Sequence, residues 1–195
     1  MQRFKQVQYG LLIGLVLTLT TGCIPAAFVA GAGATGMVVY DKRNMLTMME
    51  DRDMTNLMLK KLGDDPQLRE QTHIAVASFN HVMLLAGQAS NDALRTRVYQ
   101  LANSIPNVKR IYNQITVEPP IDSKTEAQDS WITAKVKSLI LAERGINSNQ
   151  VKVVTENGVV YLMGVMTHGQ ADTVADVASH VSGVTQVVKI FEYEQ

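Results

Sequence analysis

An internal repeat is the feature that most restricts the folds open to this chain of 195 residues. Residues 72–88 and 149–165 carry the same succession of apolar and polar side chains, and the similarity continues after a one-residue gap. Features that recur in one order at a fixed spacing indicate two copies of one structural unit. Matched pairs are Asn80 with Asn157, Leu85 with Leu162, Gly87 with Gly164, Val98 with Val174 and Val108 with Val184.

Hydrophobic periodicity gives the second copy an α-β-β-α-β order. Ile132, Val136 and Ile140 recur at helical spacing, and Asp129 or Ser130 is placed to cap the start of that helix. Short β-branched runs then predict strands, and a second apolar stripe predicts a second helix. After the first helix, the expected elements are strands over 151–156 and 159–166, a helix over 171–181 and a strand over 184–193.

The first copy predicts the same elements in the same order. They are a helix over 53–62, strands over 72–77 and 81–88, a helix over 92–104 and a strand over 108–117. Because helices cover one face of a small sheet in this order, we expect an α+β fold with a mixed three-stranded sheet in each copy. The predicted domains are 51–118 and 129–195, with Pro119-Pro120 opening a linker over 119–128.

Three glycines of the second copy are assigned to turns, namely Gly158, Gly164 and Gly183. The pair Asn157-Gly158 is a strong hairpin signal, because a type I′ turn needs positive φ at both central residues. Five methionines, Met45, Met48, Met49, Met54 and Met58, precede or enter the first helix. They are interpreted as packing residues, with an adaptable docking surface as the alternative.

The first forty residues differ from the rest and read as a targeting segment. Arg3 and Lys5 are followed by an apolar run over 10–21, then by Gly22 and Cys23, the only cysteine. A basic start, a short apolar core and a small residue at the cut site define a secretory signal, here 1–22. The residues resemble a bacterial lipoprotein signal, which implies that Cys23 carries acyl chains such as palmitate. Thr20 occupies the position three residues before the cysteine, where leucine is usual in such signals.

Residues 23–50 would then be a Gly- and Ala-rich tether between the lipid and the first domain. The alternative is an uncleaved membrane anchor, since no charge occurs over 6–40. The apolar run at 10–21 is itself too short to span a bilayer, which needs about 20 residues. Pro25 and several glycines interrupt the second half of the uncharged segment.

The sequence contains few residues in catalytic or metal-binding patterns. The four histidines, His73, His81, His168 and His180, do not form a metal-ligand spacing, and nucleophile or phosphate-loop motifs are lacking. Net charge is zero and aromatic residues are 6%, which argues against capture of nucleic acid. We therefore expect no enzyme, no cofactor, no metal and no nucleic-acid partner.

The single tryptophan marks the candidate binding surface. At 100° per residue, Trp131 lies opposite the apolar stripe of its helix, on the same face as Ala134, Lys135, Ser138 and Leu141. An exposed indole beside a lysine is typical of a membrane interface. In the alternative, Trp131 is buried against the first domain or the linker. Residues 129–195 contain five basic and seven acidic residues, so only a local patch at Lys135 and Lys137 would attract anionic lipid.

The repeat resembles the BON domain (bacterial OsmY and nodulation). Residues 157–165 read Asn-Gly-Val-Val-Tyr-Leu-Met-Gly-Val, and residues 182–184 read Ser-Gly-Val. From the signal to the C-terminus, the chain resembles the dual BON-domain outer-membrane lipoproteins. This resemblance implies an address on the periplasmic side of the outer membrane, binding of anionic phospholipid, support of outer-membrane integrity and no catalysis. It also implies lipid contact at Trp131. The alternative is a protein-interaction adaptor for an envelope assembly or cell-wall remodelling partner.

Overall fold

The computed structural model describes residues 45–194, which form two α+β repeats. The expected signal, Cys23 and the tether up to residue 44 lie outside the described residues. The first repeat consists of α1 (Met45–Asp64), α2 (Pro66–Gln71), β1 (Thr72–Phe79), β2 (Val82–Ala89), α3 (Asp92–Asn103) and β3 (Arg110–Val117). The second consists of α4 (Ser123–Ala142), a 3₁₀ turn (Ser148–Gln150), β4 (Val151–Glu156), β5 (Val159–Met166), α5 (His168–Ser179) and β6 (Gln186–Tyr193).

Each repeat contains the mixed three-stranded sheet that the sequence predicts. The strand orders are β1-β2-β3 and β4-β5-β6. In both sheets the first pair of strands is antiparallel and the second pair is parallel. The parallel pairing follows from the helix between the strands, because a crossover returns the chain to the same end of the sheet. The α+β fold class is thus confirmed.

Helices cover one face of each sheet and form a core with it. In the first repeat, Met58, Leu68 and Val98 are fully buried against the sheet. In the second repeat, Ile132 and Val174 are buried in the same way. The helical periodicity of the apolar residues therefore determines which side of each helix faces inward.

The other faces of the two sheets pack against each other, which the sequence left open. They enclose a third apolar cluster, the shared core, to which both domains contribute. Leu84 and Leu85 are both buried, but only Leu84 belongs to the shared core, since successive residues of a strand point to opposite faces. Residues 45–194 thus have a helix–sheet–sheet–helix order of layers. The shared core consists of Ala77, Phe79, Val82, Leu84, Ala86, Tyr161, Met163 and Ile190.

Helix α5 begins at His168, three residues before the expected start, and two other helix starts differ from the expectation by more. Helix α4 begins at Ser123 and is capped by Asp122, whose side chain accepts from the Thr125 N–H at 2.8 Å. The prediction of Asp129 or Ser130 as the cap was wrong, and residues 123–128 of the expected linker are helical. Helix α1 begins at Met45, so the last residues of the expected tether are helical as well. The start of α4 lies in polar sequence, where the apolar period gives no signal. The start of α1 reads Met-Leu-Thr-Met-Met, which is apolar on all sides of the helix and so has no helical period either.

The methionines of α1 differ in burial, with Met48 intermediate between the other two pairs. Met54 and Met58 are buried in the core of the first repeat. Met45 and Met49 are exposed. Packing accounts for the former pair alone. None of the helices within residues 45–194 has the length and apolarity required to span a membrane.

Candidate membrane-contact site

The candidate surface is the outward side of α4, and we call it the α4 face. The inward side packs on the sheet through Ile132, Val136 and Ile140, which are at most 1% exposed. Trp131 is 53% exposed and Leu141 is 70% exposed, so the inward stripe forces both outward. The structure brings together on this face all five residues that the sequence placed there, and all are exposed, namely Trp131, Ala134, Lys135, Ser138 and Leu141.

The alternative position for the tryptophan is wrong. A buried interdomain anchor would have little accessible surface, whereas about half of Trp131 is open to solvent. An exposed indole and an exposed leucine on one helix face, with Lys135 also exposed between them, combine apolar area with positive charge. The Ser138 hydroxyl donates to the Lys135 carbonyl at 2.8 Å, so it serves the helix backbone here.

A carboxylate inside α4 holds the helix on its hairpin. Asp129 is 5% exposed and accepts hydrogen bonds from the N–H groups of Asn157 at 2.6 Å and Gly158 at 2.9 Å. The first repeat has the same arrangement, in which Asp51 accepts from the N–H groups of Asn80 and His81. These bonds fix the orientation of each helix on its sheet and therefore the direction of the α4 face.

The three glycines have two different roles. Gly158 and Gly183 have φ of 75° and 90°, so both occupy turns that favour glycine, as predicted. The assignment of Gly164 to a turn was wrong, because it lies inside β5 opposite Val151. A Cβ at Gly164 would lie 2.5 Å from the Gln150 carbonyl oxygen, so close backbone approach is the reason for glycine there.

A groove lies beside the α4 face, at the boundary between the domains. It has a volume of about 490 Å³. Its walls come from α4, from the 3₁₀ turn with the start of β4, and from the end of β1. Lys152 crosses the boundary, because its ammonium donates to the Ser78 carbonyl at 3.2 Å. The lining residues are Phe79, Lys137, Ser138, Leu141, Ser148, Asn149, Val151 and Lys152.

A polar cluster, the His73 cluster, connects the domains at the other end of β1. The His73 ring nitrogens lie 3.2 Å from Glu126 Oε1 and 3.5 Å from Glu156 Oε1. Glu156 is 5% exposed and accepts from Gln88 Nε2 at 3.2 Å. Burial, together with the nearby carboxylates of Asp129 and Glu126, raises the Glu156 pKa from 4.5 to about 7, although the Gln88 bond opposes the shift.

Sequence reasoning missed this cluster because its members are far apart in the chain. The other histidines serve local structure. His81 lies 3.5 Å from Glu50 Oε2, His168 stacks on Tyr193, and His180 is exposed. Within residues 45–194, no group of three or more His, Cys, Asp or Glu side chains is placed to hold a metal ion.

The fold and surface define a class: a tandem pair of α-β-β-α-β domains with an exposed apolar helix face. The BON domain family model matches residues 51–119 and 128–195. The chain therefore belongs to the BON-domain family. That match indicates no catalytic family.

Whole-chain relatives agree with this assignment. The chain is 33% identical over 183 residues to the outer membrane lipoprotein DolP of Haemophilus influenzae, covering 94% of each chain. It is 37% identical over 155 residues to the 21 kDa hemolysin of Actinobacillus pleuropneumoniae, covering 80% of each. It is 27% identical over 142 residues to the osmotically-inducible protein Y of Escherichia coli, covering 71% of this chain and 70% of that one. Among BON-domain proteins, this chain is a lipid-anchored protein of the outer membrane.

Proposed function

We propose that the protein binds anionic phospholipid on the periplasmic side of the outer membrane, through the α4 face of its second BON domain, and so supports outer-membrane integrity. Two attachments act together. Acyl chains on Cys23 hold the chain at the membrane, and the α4 face touches the lipid surface. The mechanism is binding, with no chemical step.

The observation that carries the proposal is the exposure of Trp131 and Leu141 on one face of a helix whose other side is fully packed. The exposed half of Trp131 loses apolar contact with water when it enters the headgroup region. Lys135 lies between them on this face and is exposed, so its ammonium can reach lipid phosphate. Each lysine near an anionic surface contributes about 1 kcal/mol, which makes the face a weak site by itself.

The lipid anchor compensates for this weakness. Tethering converts the second contact into an intramolecular event, so its strength depends on effective concentration at the membrane. Two or more acyl chains anchor a protein stably, whereas one chain is marginal. Cys23, as the only cysteine of the chain, is the residue to which we assign the acyl chains.

The alternative function, a protein-interaction adaptor, would use either the sheets or the face with Trp131. The sheet faces that a partner would need are buried against each other in the shared core. Of the two surfaces considered for a protein partner, the α4 face is the one that stays exposed, and a partner there would compete with lipid. Failure of membrane contact in the experiment below would favour such a partner.

The single tryptophan allows a direct test in the lipid-anchored protein. The full chain is placed in vesicles of phosphatidylcholine alone or with phosphatidylglycerol, at two salt concentrations, with lipids brominated near the headgroup. Bromine quenches indole fluorescence on contact. We expect quenching of Trp131 that rises with phosphatidylglycerol and falls with salt.

Variants locate the contact. Leu141→Ala and Lys135→Gln should reduce the quenching. Leu59→Ala is the control and should leave the quenching unchanged, because Leu59 is also an exposed leucine but lies on α1. Absence of quenching in the unmodified chain would refute direct lipid recognition by the α4 face. Quenching that is the same in both vesicle types would refute the preference for anionic lipid.

A further inference from the structure

We infer that the groove beside the α4 face holds the phosphodiester headgroup of an anionic phospholipid, and that this pocket needs both domains. The inference rests on the proposed function, since the lipid comes from the membrane that the α4 face contacts. It adds a defined site for one lipid molecule to a surface that would otherwise attract lipid without a fixed position.

The charges around the groove favour an anion. Lys137 stands on the wall formed by α4 and Lys152 on the wall formed by β4, while the described lining residues include no carboxylate. The bond from Lys152 Nζ to the Ser78 carbonyl holds that ammonium at the domain boundary. A lysine whose position is already fixed loses less side-chain freedom when it binds an anion.

The groove also has the size and polarity of a headgroup site. A volume of about 490 Å³ lies within the range of small-molecule pockets. Ser148 and Asn149 supply polar groups for the phosphodiester and the headgroup hydroxyls. Phe79 and Leu141 provide apolar walls for the glycerol backbone.

Continuity with the membrane surface identifies the source of the anion. Ser138 and Leu141 belong both to the groove and to the α4 face. A lipid with its headgroup between the two lysines can therefore keep its acyl chains at Leu141, within the membrane that holds the anchor. Free phosphate has no apolar part that could contact the apolar wall, so we assign the groove to lipid.

The first domain contributes a wall that a single BON domain lacks. Phe79 and the Ser78 carbonyl lie at the end of β1, and their position depends on the packing of the two sheets. The groove consequently belongs to the tandem arrangement. This gives the first domain a part in lipid binding although the α4 face belongs to the second.

The test follows two groups of signals by nuclear magnetic resonance in the lipid-anchored full chain, held in nanodiscs of phosphatidylcholine with increasing phosphatidylglycerol. The Trp131 indole N–H reports the α4 face, and the amide groups of Asn149 and Lys152 report the groove. We expect the groove signals to shift with phosphatidylglycerol content and to saturate at one lipid per chain.

Substitutions separate a site from diffuse attraction. Lys137→Gln and Lys152→Gln should each raise the phosphatidylglycerol content at half-saturation roughly fivefold. Lys152→Arg should remain near the unmodified value, because it keeps the charge. Lys60→Gln, which makes the same charge change on an exposed residue of α1, should have no effect.

The outcomes distinguish the two proposals. If Trp131 responds to the membrane but the groove signals do not, or if the lysine variants titrate like the unmodified chain, the groove assignment is overturned and the proposed function stands. If Trp131 itself does not respond, the proposed function fails as well. Groove shifts that inorganic phosphate produces in nanodiscs of phosphatidylcholine alone, while phosphatidylglycerol produces none, would overturn the assignment to lipid.

Discussion

Asp129 and Asn157 lie 28 positions apart, yet Asp129 Oδ2 accepts a hydrogen bond from the Asn157 N–H at 2.6 Å. The other carboxylate oxygen accepts from Gly158, so one buried side chain satisfies both amide groups of a turn whose residues have positive φ. Asp51 does the same for Asn80 and His81 in the first repeat. The helix-to-hairpin carboxylate is thus a repeated device that locks the first long helix of each domain onto its sheet.

Removing this carboxylate should destabilise the protein strongly. Asp129→Ala leaves two turn amides without their acceptor, and we expect a loss of about 2–4 kcal/mol in the free energy of unfolding. Asp129→Asn keeps one good acceptor and should lose less. Urea unfolding followed by circular dichroism measures both. Asp176→Ala, at an exposed carboxylate, is the control and should stay within about 0.5 kcal/mol.

Stability should fall as the pH rises from 4.5 to 7, because of Glu156. The Glu156 pKa is about 7 in the folded protein, whereas the ordinary value for a glutamate is 4.5. The folded state therefore holds the proton more tightly than the unfolded state does. The stabilising contribution is complete below pH 4.5, decreases through the interval and is gone above pH 7, a change of roughly 3 kcal/mol.

The variant Glu156→Gln isolates this effect from other titrations. It should match the unmodified chain at pH 4.5 and exceed it in stability at pH 8. Glu126→Gln, at the half-exposed carboxylate on the other side of His73, should keep the fall in stability but make it slightly smaller, because the Glu126 carboxylate contributes least to the raised Glu156 pKa. Unfolding midpoints across the range check this, and parallel profiles for Glu156→Gln and the unmodified chain would contradict the role of Glu156.

Substitutions at two neighbouring residues of α4 should change the stability by very different amounts. Trp131→Ala removes an exposed side chain and should change the free energy of unfolding by no more than about 0.5 kcal/mol. Ile132→Ala opens a cavity at a fully buried position and should cost about 2–5 kcal/mol. Thermal unfolding provides the stabilities, and a large loss in Trp131→Ala would mean that the indole is packed in solution.

The strand glycines should not accept a methyl group. A Cβ at Gly87 would lie 2.0 Å from the His73 carbonyl oxygen, and φ there is 132°. Gly87→Ala should therefore lower the free energy of unfolding by more than about 2 kcal/mol, and Gly164→Ala by a similar amount. Gly169→Ala, in a helix with open space around it, should be neutral or stabilising. Equal stability of all three variants would contradict the close-approach argument.

The two domains should unfold in one transition. Leu84 of the first domain and Met163 of the second are both buried in the shared core. Leu84→Ala and Met163→Ala should each lower the free energy of unfolding by about 2–5 kcal/mol. Each should also lower the midpoint temperature of one single calorimetric transition. Two separate transitions, with each substitution affecting only its own domain, would show that the domains unfold independently.

The sequence by itself determined the local elements and their order. Period-3.6 and period-2 patterns located the four longer helices and the six strands of residues 45–194 but not the short helix α2, the repeat established two copies, and Asn157-Gly158 located a turn. The exposure of Trp131 also followed from local periodicity, because a helix with Ile132 and Val136 inside must place Trp131 outside. The nearly continuous apolar run over 82–87 is a further signal in the sequence, because such a run is typical of a strand buried on both faces.

Tertiary structure alone decided the rest. Sheet-to-sheet packing, the groove and the His73 cluster join residues that are far apart in the chain, and periodicity reports only the neighbours of a residue along its own element. Gln88 and Glu156 look like surface residues in the sequence, yet the packing of the second domain on the first buries both. Gly164 looks like a turn residue until the Gln150 carbonyl is placed beside it. Desolvation and close contact depend on three-dimensional proximity. That proximity becomes defined only when the strands pair and the two sheets pack together.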